Sequence, residues 1–343
     1  MQYHGTDMNV RIEEVAEQAG VSTATVSRAL RDLPGVGEQT RARVLSIAAR
    51  MGYMPSHSAA SLARGSTHSI GLVLPDVSRW FFATAVEIIE QSLRAVDYDA
   101  LIYSLPDYKG VQRQQFNPRV LRGKVDAVAV LSLFFDAKEV GLLRSMHVPA
   151  AFLSVVQPGF SHVGIDDERA AGQACEHLIG LGHRVIGHLS GMTNDLSPYA
   201  PTQRRRNGWR STLQRHHLEN GHDLDVSASI MTAQNGYVAT KVLLDRRSDV
   251  TGIVASSDEM AMGAMRAIQE RGLIVGNDIS IVGIDGNDLS EAFGLTTVAQ
   301  SVDDEGRLLV RVLIDALYGD TDAHSYTLPT HLIIRSSSGP CVR

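Results

Sequence analysis

Cysteine is nearly absent from this chain. Cys175 and Cys341 are the two in 343 residues, far apart and in no metal-ligand spacing. That excludes a disulfide scaffold and a zinc module and fits a reducing compartment. No apolar run reaches the roughly 18–20 residues that cross a bilayer. The first eight residues lack the charged-then-apolar pattern of a signal peptide, so no membrane partner is expected and the expected location is the cytoplasm. There is no Gly-x-Gly-x-x-Gly after the first strand-like run, no Gly-Lys-Ser/Thr phosphate loop and no Gly-x-Ser-x-Gly elbow. These absences argue against an enzyme on a doubly wound sheet, and no cofactor is expected. A basic excess is missing too. Net charge is −6, and residues 1–65 hold seven arginines against six acids, leaving −7 for the rest. Charge alone is therefore weak evidence for nucleic acid. With 20% charged and 44% hydrophobic residues the chain is globular, and its length allows two or three domains.

The informative stretch is Val10–Leu30. Val15, Ala16 and Ala19 make an apolar stripe on one short helix, and Val26, Ala29 and Leu30 make one on the next. Gly20 lies between them, where a tight turn demands positive φ. Ser22 is placed to cap the second helix. That helix turns Thr23, Ala24, Thr25, Ser27 and Arg28 outward, the layout of a helix-turn-helix whose second helix enters the major groove. A plain helical hairpin shares the stripes but not this outer face. A third helix is expected over Glu38–Met51, with Gly37 at its cap and Val44, Leu45 and Ala48 inward, ended by Gly52-Tyr53-Met54-Pro55. Residues 56–65 are small and polar around one large apolar residue, Leu62, and alone read as a flexible linker.

From Ser69 onward, strand-length apolar runs alternate with helical patterns. Strands are expected at Ile70–Leu74, Ala100–Tyr103, Ala127–Leu131, Ala150–Leu153, Val185–Leu189, Ile253–Ala255 and Ile279–Ile284. Helices are expected at Phe82–Ala95, Glu168–Leu181, Gln203–His216, Tyr237–Asp245, Glu259–Arg271 and Asp304–Leu317. Continuous apolar strands between helices mean parallel sheets covered on both faces. The length implies two lobes, parting near Asp166 and crossing back near Asp285–Thr297, with a ligand cleft at the carboxyl ends of the strands.

The motifs together resemble the lactose-repressor/galactose-repressor family of bacterial transcription regulators. The headpiece matches through Val15-Ala16, Gly20-Val21-Ser22 and Thr25-Val26-Ser27-Arg28, the third helix through Thr40-Arg41 and Gly52-Tyr53, and the hinge through Leu62-Ala63-Arg64-Gly65. Leu181–His188, Ser256–Ala264, Ile279–Asp285 and Leu295–Gln300 match the effector domain. The resemblance implies an all-α helix-turn-helix headpiece (1–55), a hinge (56–67) and an α/β two-lobed core like a periplasmic binding protein (68–343), built on two doubly wound parallel sheets. It implies a homodimer on palindromic double-stranded operator DNA, controlled by a small-molecule effector, a carbohydrate by family expectation. With only a short stretch after Arg335, a tetramer built by a C-terminal heptad helix is not expected.

By that resemblance Thr23, Ala24 and Arg28 occupy base-reading positions. Arg28 offers two donors to guanine O6 and N7, the alternative being phosphate or a salt bridge. Ser22, Thr25 and Ser27 are expected on phosphates. Leu62 would wedge into the minor groove with Ala59 beside it, the alternative being packing on the core. In the cleft, Phe81 or Phe82 is expected to stack on the ligand unless they turn into the core; Ser132 follows a strand. Arg205, at the family's effector-arginine position ahead of Gly208-Trp209, would clasp hydroxyls or a carboxylate, its neighbours Arg204 and Arg206 being solvated. Asp285 ends a strand. Ser257 and Asp258 follow another, and Asp258 and Asp166 each bind ligand or cap a helix. Met231 stands where an aromatic wall is usual. His183 and His188 resemble a metal or catalytic pair, but their spacing shares no helical face, and no metal is expected. A periplasmic-type sugar-binding protein is the competing reading, opposed by the headpiece and the missing signal sequence.

Overall fold

The computed structural model describes residues 10–53, 66–105, 114–191, 199–320 and 322–342. They fall into two compact units that divide between Thr67 and His68. Expected positions Ala59 and Leu62 lie outside the described residues.

The first unit contains α1 (Ile12–Ala19), α2 (Thr23–Leu30) and α3 (Glu38–Met51). Gly20 ends α1 at φ 65°, a left-handed position open to glycine at no steric cost. Ser22 then caps α2, its hydroxyl accepting from the Thr25 amide at 3.2 Å. Val15, Ala16, Ala19, Val26, Ala29, Val44, Ile47 and Ala48 close the core. Leu45, expected inward, is 45% exposed; Ile47 takes its place, because positions 44, 47 and 48 share one face at helical pitch.

The second unit is a pair of six-stranded sheets. One runs β11-β5-β4-β3-β1-β2 and is parallel throughout: β1 (Ser69–Leu74), β2 (Asp99–Ser104), β3 (Ala127–Leu131), β4 (Ala150–Leu153), β5 (Ser161–Ile165) and β11 (Ser325–Leu328). The other runs β12-β10-β9-β8-β6-β7: β6 (Ile186–Ser190), β7 (Asp225–Ser227), β8 (Gly252–Ala255), β9 (Ser280–Asp285), β10 (Thr296–Ala299) and β12 (His331–Ile333), with β12 alone antiparallel at the edge. The first sheet is covered by α4 (Trp80–Arg94), α5 (Ala137–Arg144) and α11 (Val302–Leu317). The second is covered by α6 (Asp167–Gly180), α7 (Pro201–Arg215), α8 (Ala233–Arg246) and α9 (Asp258–Glu270), with the short α10 (Leu289–Ala292) at its rim.

The chain crosses between lobes three times: at Asp166, at Gln300–Ser301 and at Pro329–Thr330. The return expected near Asp285–Thr297 therefore comes later, because β10 adds one more strand to the second lobe before α11 leaves it. Strands β5, β7, β10, β11 and β12 and helices α5 and α10 had no expectation behind them. Their sequences (Ser-His-Val-Gly-Ile, Thr-Thr-Val-Ala, Ser-Tyr-Thr-Leu) are too short or polar to stand out, and pairing in the sheet overrides that weak local preference.

Gly208 sets the spacing of α6 and α7. A methyl group there would lie 2.1 Å from the Glu168 carbonyl oxygen, so the helices touch backbone to backbone. Gly208→Ala is expected to force them apart and cost about 1–3 kcal/mol. Thermal unfolding of the purified protein measures it, and an unchanged midpoint would show that the contact yields freely.

Candidate DNA-reading helix and interlobe site

On α2, Thr23, Ala24 and Arg28 are exposed. The Arg28 side chain makes no hydrogen bond or ion pair among the described residues, so its guanidinium is uncommitted; its carbonyl accepts from the Leu33 amide. The flanking hydroxyls are engaged locally: Ser22 Oγ meets Thr25 Oγ1 at 2.9 Å, and Ser27 Oγ accepts from Arg31 Nη2 at 2.8 Å. Thr23 and Arg28, two of the three residues expected to read bases, are thus left with side chains unengaged among the described residues.

In the core, Arg205 lies on the first turns of α7, 5% exposed, and gathers three strand or helix ends. Its Nε donates to Asp167 Oδ1 at 2.8 Å, at the start of α6. Its Nη1 donates to Asp285 Oδ1 at 3.1 Å, at the end of β9, and to the carbonyl of Ser256 after β8. Gln300 Nε2, just past β10, also donates to Asp285 Oδ1 at 2.9 Å. Arg205 Nη2 and Asp285 Oδ2 make no hydrogen bond among the described residues, leaving donors on one side chain and an acceptor on the other unused. Asp285 holds φ 135°, a strained value for a non-glycine residue, of the kind found where a side chain must be aimed. Ser132 (φ 51°) and Ser154 (φ 65°), following β3 and β4 at the corresponding strand ends of the other lobe, are also in the left-handed region.

The charges are coupled. Burial pulls the Arg205 guanidinium's pKa down, but the adjoining Asp167 and Asp285 carboxylates outweigh it and hold it raised. Burial pushes Asp285 up to about 7, against the Arg205 charge. Burial likewise raises Asp167. Across the cleft, Arg79 ahead of α4 pairs with Glu259 on α9 (Nη2 to Oε2, 2.8 Å) and lies over the Phe82 ring at 5.8 Å. This pair ties one lobe to the other.

Several expected effector residues are placed otherwise. Phe81 and Phe82 pack edge to face at 5.3 Å inside the first lobe's core, because the apolar stripe of α4 starts at its first turn. Asp258 is fully buried. Its oxygens accept from the Gly286 and Asn287 amides and the Ser290 and Thr297 hydroxyls, so it braces the loop after β9. Ser257, also buried, caps α9 through the Met260 amide. Asp166 caps α6 and pairs with Arg204 at 3.0 Å; its neighbour Asp167 is the one that meets Arg205. Arg206, expected in solvent, is inside: its Nε lies 2.6 Å from Asp225 Oδ2. Met231 packs against Gly191. His183 bonds Thr251 Oγ1 and the Gly339 carbonyl. His188 sits between Ser256 Oγ and Asp225 Oδ1, each at 3.0 Å, a serine-histidine-aspartate line. Ser256 and His188 are wholly buried, so no substrate reaches the serine and the line is an internal brace.

The fold and this arrangement define a DNA-binding regulator with a two-lobed ligand-binding core. Residues 11–56 match the bacterial regulatory proteins of the lacI family, and residues 175–338 match a periplasmic binding protein-like domain. The chain is 31% identical to catabolite control protein A of Priestia megaterium over 96% of its own length and all of that protein's. It is 30% identical to the ribose operon repressor of Halalkalibacterium halodurans over 95% of this chain and 96% of that one. The lac repressor dimer bound to operator and an anti-inducer superposes with a TM-score of 0.83 at 26% identity, over 96% of this chain and 99% of that one. The regulator CelR in complex with cellobiose gives 0.70 at 28% identity, over 96% and 99%. The chain belongs to the lacI family of bacterial transcription regulators and is not an enzyme. No helix among the described residues is long and apolar enough to cross a membrane.

Proposed function

We propose that this protein is an operator-binding repressor, acting as a homodimer in the cytoplasm, whose DNA affinity is set by a small polyol bound between the core lobes. Residues 1–55 read DNA through Thr23, Ala24 and Arg28. Residues 56–67 act as the hinge, with Leu62 of each subunit wedging the minor groove. The observation that carries the effector reading is the buried Arg205–Asp285 pair with Nη2 and Oδ2 left open. A vicinal diol satisfies both at once, one hydroxyl accepting and its neighbour donating. Ligand held there acts on both lobes, because Asp285 and Arg205 belong to one and the crossover at Gln300 leads into the other. A change in lobe closure then alters hinge spacing and operator affinity. Relatives support this reading: the cellobiose-bound regulator and the operator-bound lac repressor share the fold.

The test is a gel-shift titration against the DNA upstream of the protein's own gene, at fixed salt, with and without a sugar panel. Specific binding that one sugar weakens is expected of an inducible repressor. Binding that appears only with a sugar would make the compound a corepressor. DNA binding that no small molecule changes would overturn the effector reading while leaving the headpiece assignment intact.

A further inference from the structure

A carboxyl group that the site described so far does not use lies beside it. Glu305, in the opening turns of α11, is fully buried, and neither of its oxygens has a hydrogen-bond partner. Helical spacing puts it on the stripe of Val302, Leu309 and Val312, where an apolar side chain would cost nothing. Its surroundings divide sharply. Next to it, Gly306 meets Ile88 and Ile89 of α4, and the strands under α11 contribute Leu131, Leu153 and Val163 to the same core. His162 of β5 alternates onto the opposite face from Val163. The charges that reach Glu305 come from Asp167 on α6, Arg205 on α7, Asp285 on β9 and its own neighbour Asp304. The helix turn that carries it follows directly on Gln300, whose Nε2 donates to Asp285 Oδ1, so the start of α11 stands at the Arg205 cluster. Burial, and then the Asp167 charge, push Glu305 up to about 8.

Three buried carboxyls stand here, Asp167 and Asp285 on the Arg205 guanidinium and Glu305 with no partner; the Arg204 and Arg79 charges also reach Asp167 and Asp285, but each arginine is paired with a carboxylate of its own, Asp166 and Glu259. An anionic ligand would deepen the imbalance and compete for an arginine whose Nε and Nη1 are taken. A cationic nitrogen would relieve it and give Glu305 the donors it lacks.

We propose that Glu305 is the innermost contact of the effector site and that the effector is an aminated polyol, its protonated nitrogen pairing with the Glu305 carboxylate while its hydroxyls take Arg205 and Asp285. The inference rests on the effector reading above. Pairing ionises Glu305, so binding releases a proton to solvent. Affinity must then rise between pH 6 and pH 7, by up to roughly tenfold, while the ligand amine stays protonated.

The experiment is calorimetric titration of the full chain with matched sets at two sizes. These are glucosamine, glucose and gluconate, and the diamino disaccharide chitobiose (deacetylated), cellobiose and cellobionate. The aminated member of one set is expected to bind at least tenfold tighter than its neutral match, with the stated rise with pH. Glu305→Gln, which keeps shape and removes charge, is expected to erase both the preference and the rise. Glu305→Gln should also unfold at a higher temperature than wild type at pH 8, since it removes a carboxyl held neutral by burial. A neutral sugar binding wild type and Glu305→Gln alike, or an aminated ligand with no pH dependence, overturns this inference and leaves the effector reading standing. If neither set binds, both fall.

Discussion

Arg28→Ala is expected to lower affinity for the specific operator by roughly 10²–10⁴-fold, because a bidentate arginine–guanine contact is worth about 1–3 kcal/mol and a dimer makes it twice. Three features of α2 make Arg28 the residue to change. It is exposed and uncommitted. It shares a face with Ala24 one turn earlier, so it projects where that helix presents its side chains. And it takes no part in the headpiece core, so its removal leaves the fold alone. Fluorescence anisotropy against operator and scrambled duplexes of equal length separates the outcomes. Base reading predicts a loss confined to the operator, with Arg28→Lys failing to restore it because a point charge cannot match two acceptors. An equal loss on both duplexes, with the salt slope reduced by about one per contact, would mean that Arg28 holds phosphate and that the reading lies with Thr23 and Ala24.

The headpiece was legible because its rules are local. A glycine at positive φ, a serine cap and two stripes act within a dozen residues, and Gly20 and Ser22 do what their chemistry dictates. The lobes were legible as alternation, but not in their edge strands, whose stability comes from partners far along the chain. The interlobe site was half legible. Arg205 and Asp285 stand together as residues at element ends should. Asp167 was passed over for Asp166, although an aspartate that caps through the third residue on leaves its successor free to turn inward. Phe81 and Phe82 misled because an aromatic at a cleft edge and one in a core look alike in sequence; the periodicity of α4 decides for the core. Glu305 carried a signal that composition hides: one charge on an otherwise apolar helical stripe. Gln300 carried the same kind of signal, a polar residue at the end of a strand in a parallel sheet.

Arg205→Ala is expected to be the most damaging single change in the core. It leaves Asp167 and Asp285 buried without their cation, with Glu305 beside them, and breaking a buried pair from one side costs about 3–5 kcal/mol. In a chain of this size that lowers the unfolding temperature by on the order of 10 °C. The pH dependence identifies the cause. Asp285 is held at about 7 in the folded protein, above the ordinary 3.8 of an unfolded aspartate. A raised carboxyl leaves stability intact below the unfolded value and removes it as pH climbs toward the folded one. Without Arg205 the folded values of Asp167 and Asp285 climb further, so the deficit relative to wild type must widen from pH 5 to pH 8. Arg205→Lys keeps the charge but not the fork that serves Asp167, Asp285 and the Ser256 carbonyl together. It is expected to recover part of the stability and none of the effector response, with operator binding intact. A deficit in Arg205→Ala that does not change with pH would mean that lost packing, rather than stranded carboxylates, is what the arginine prevents.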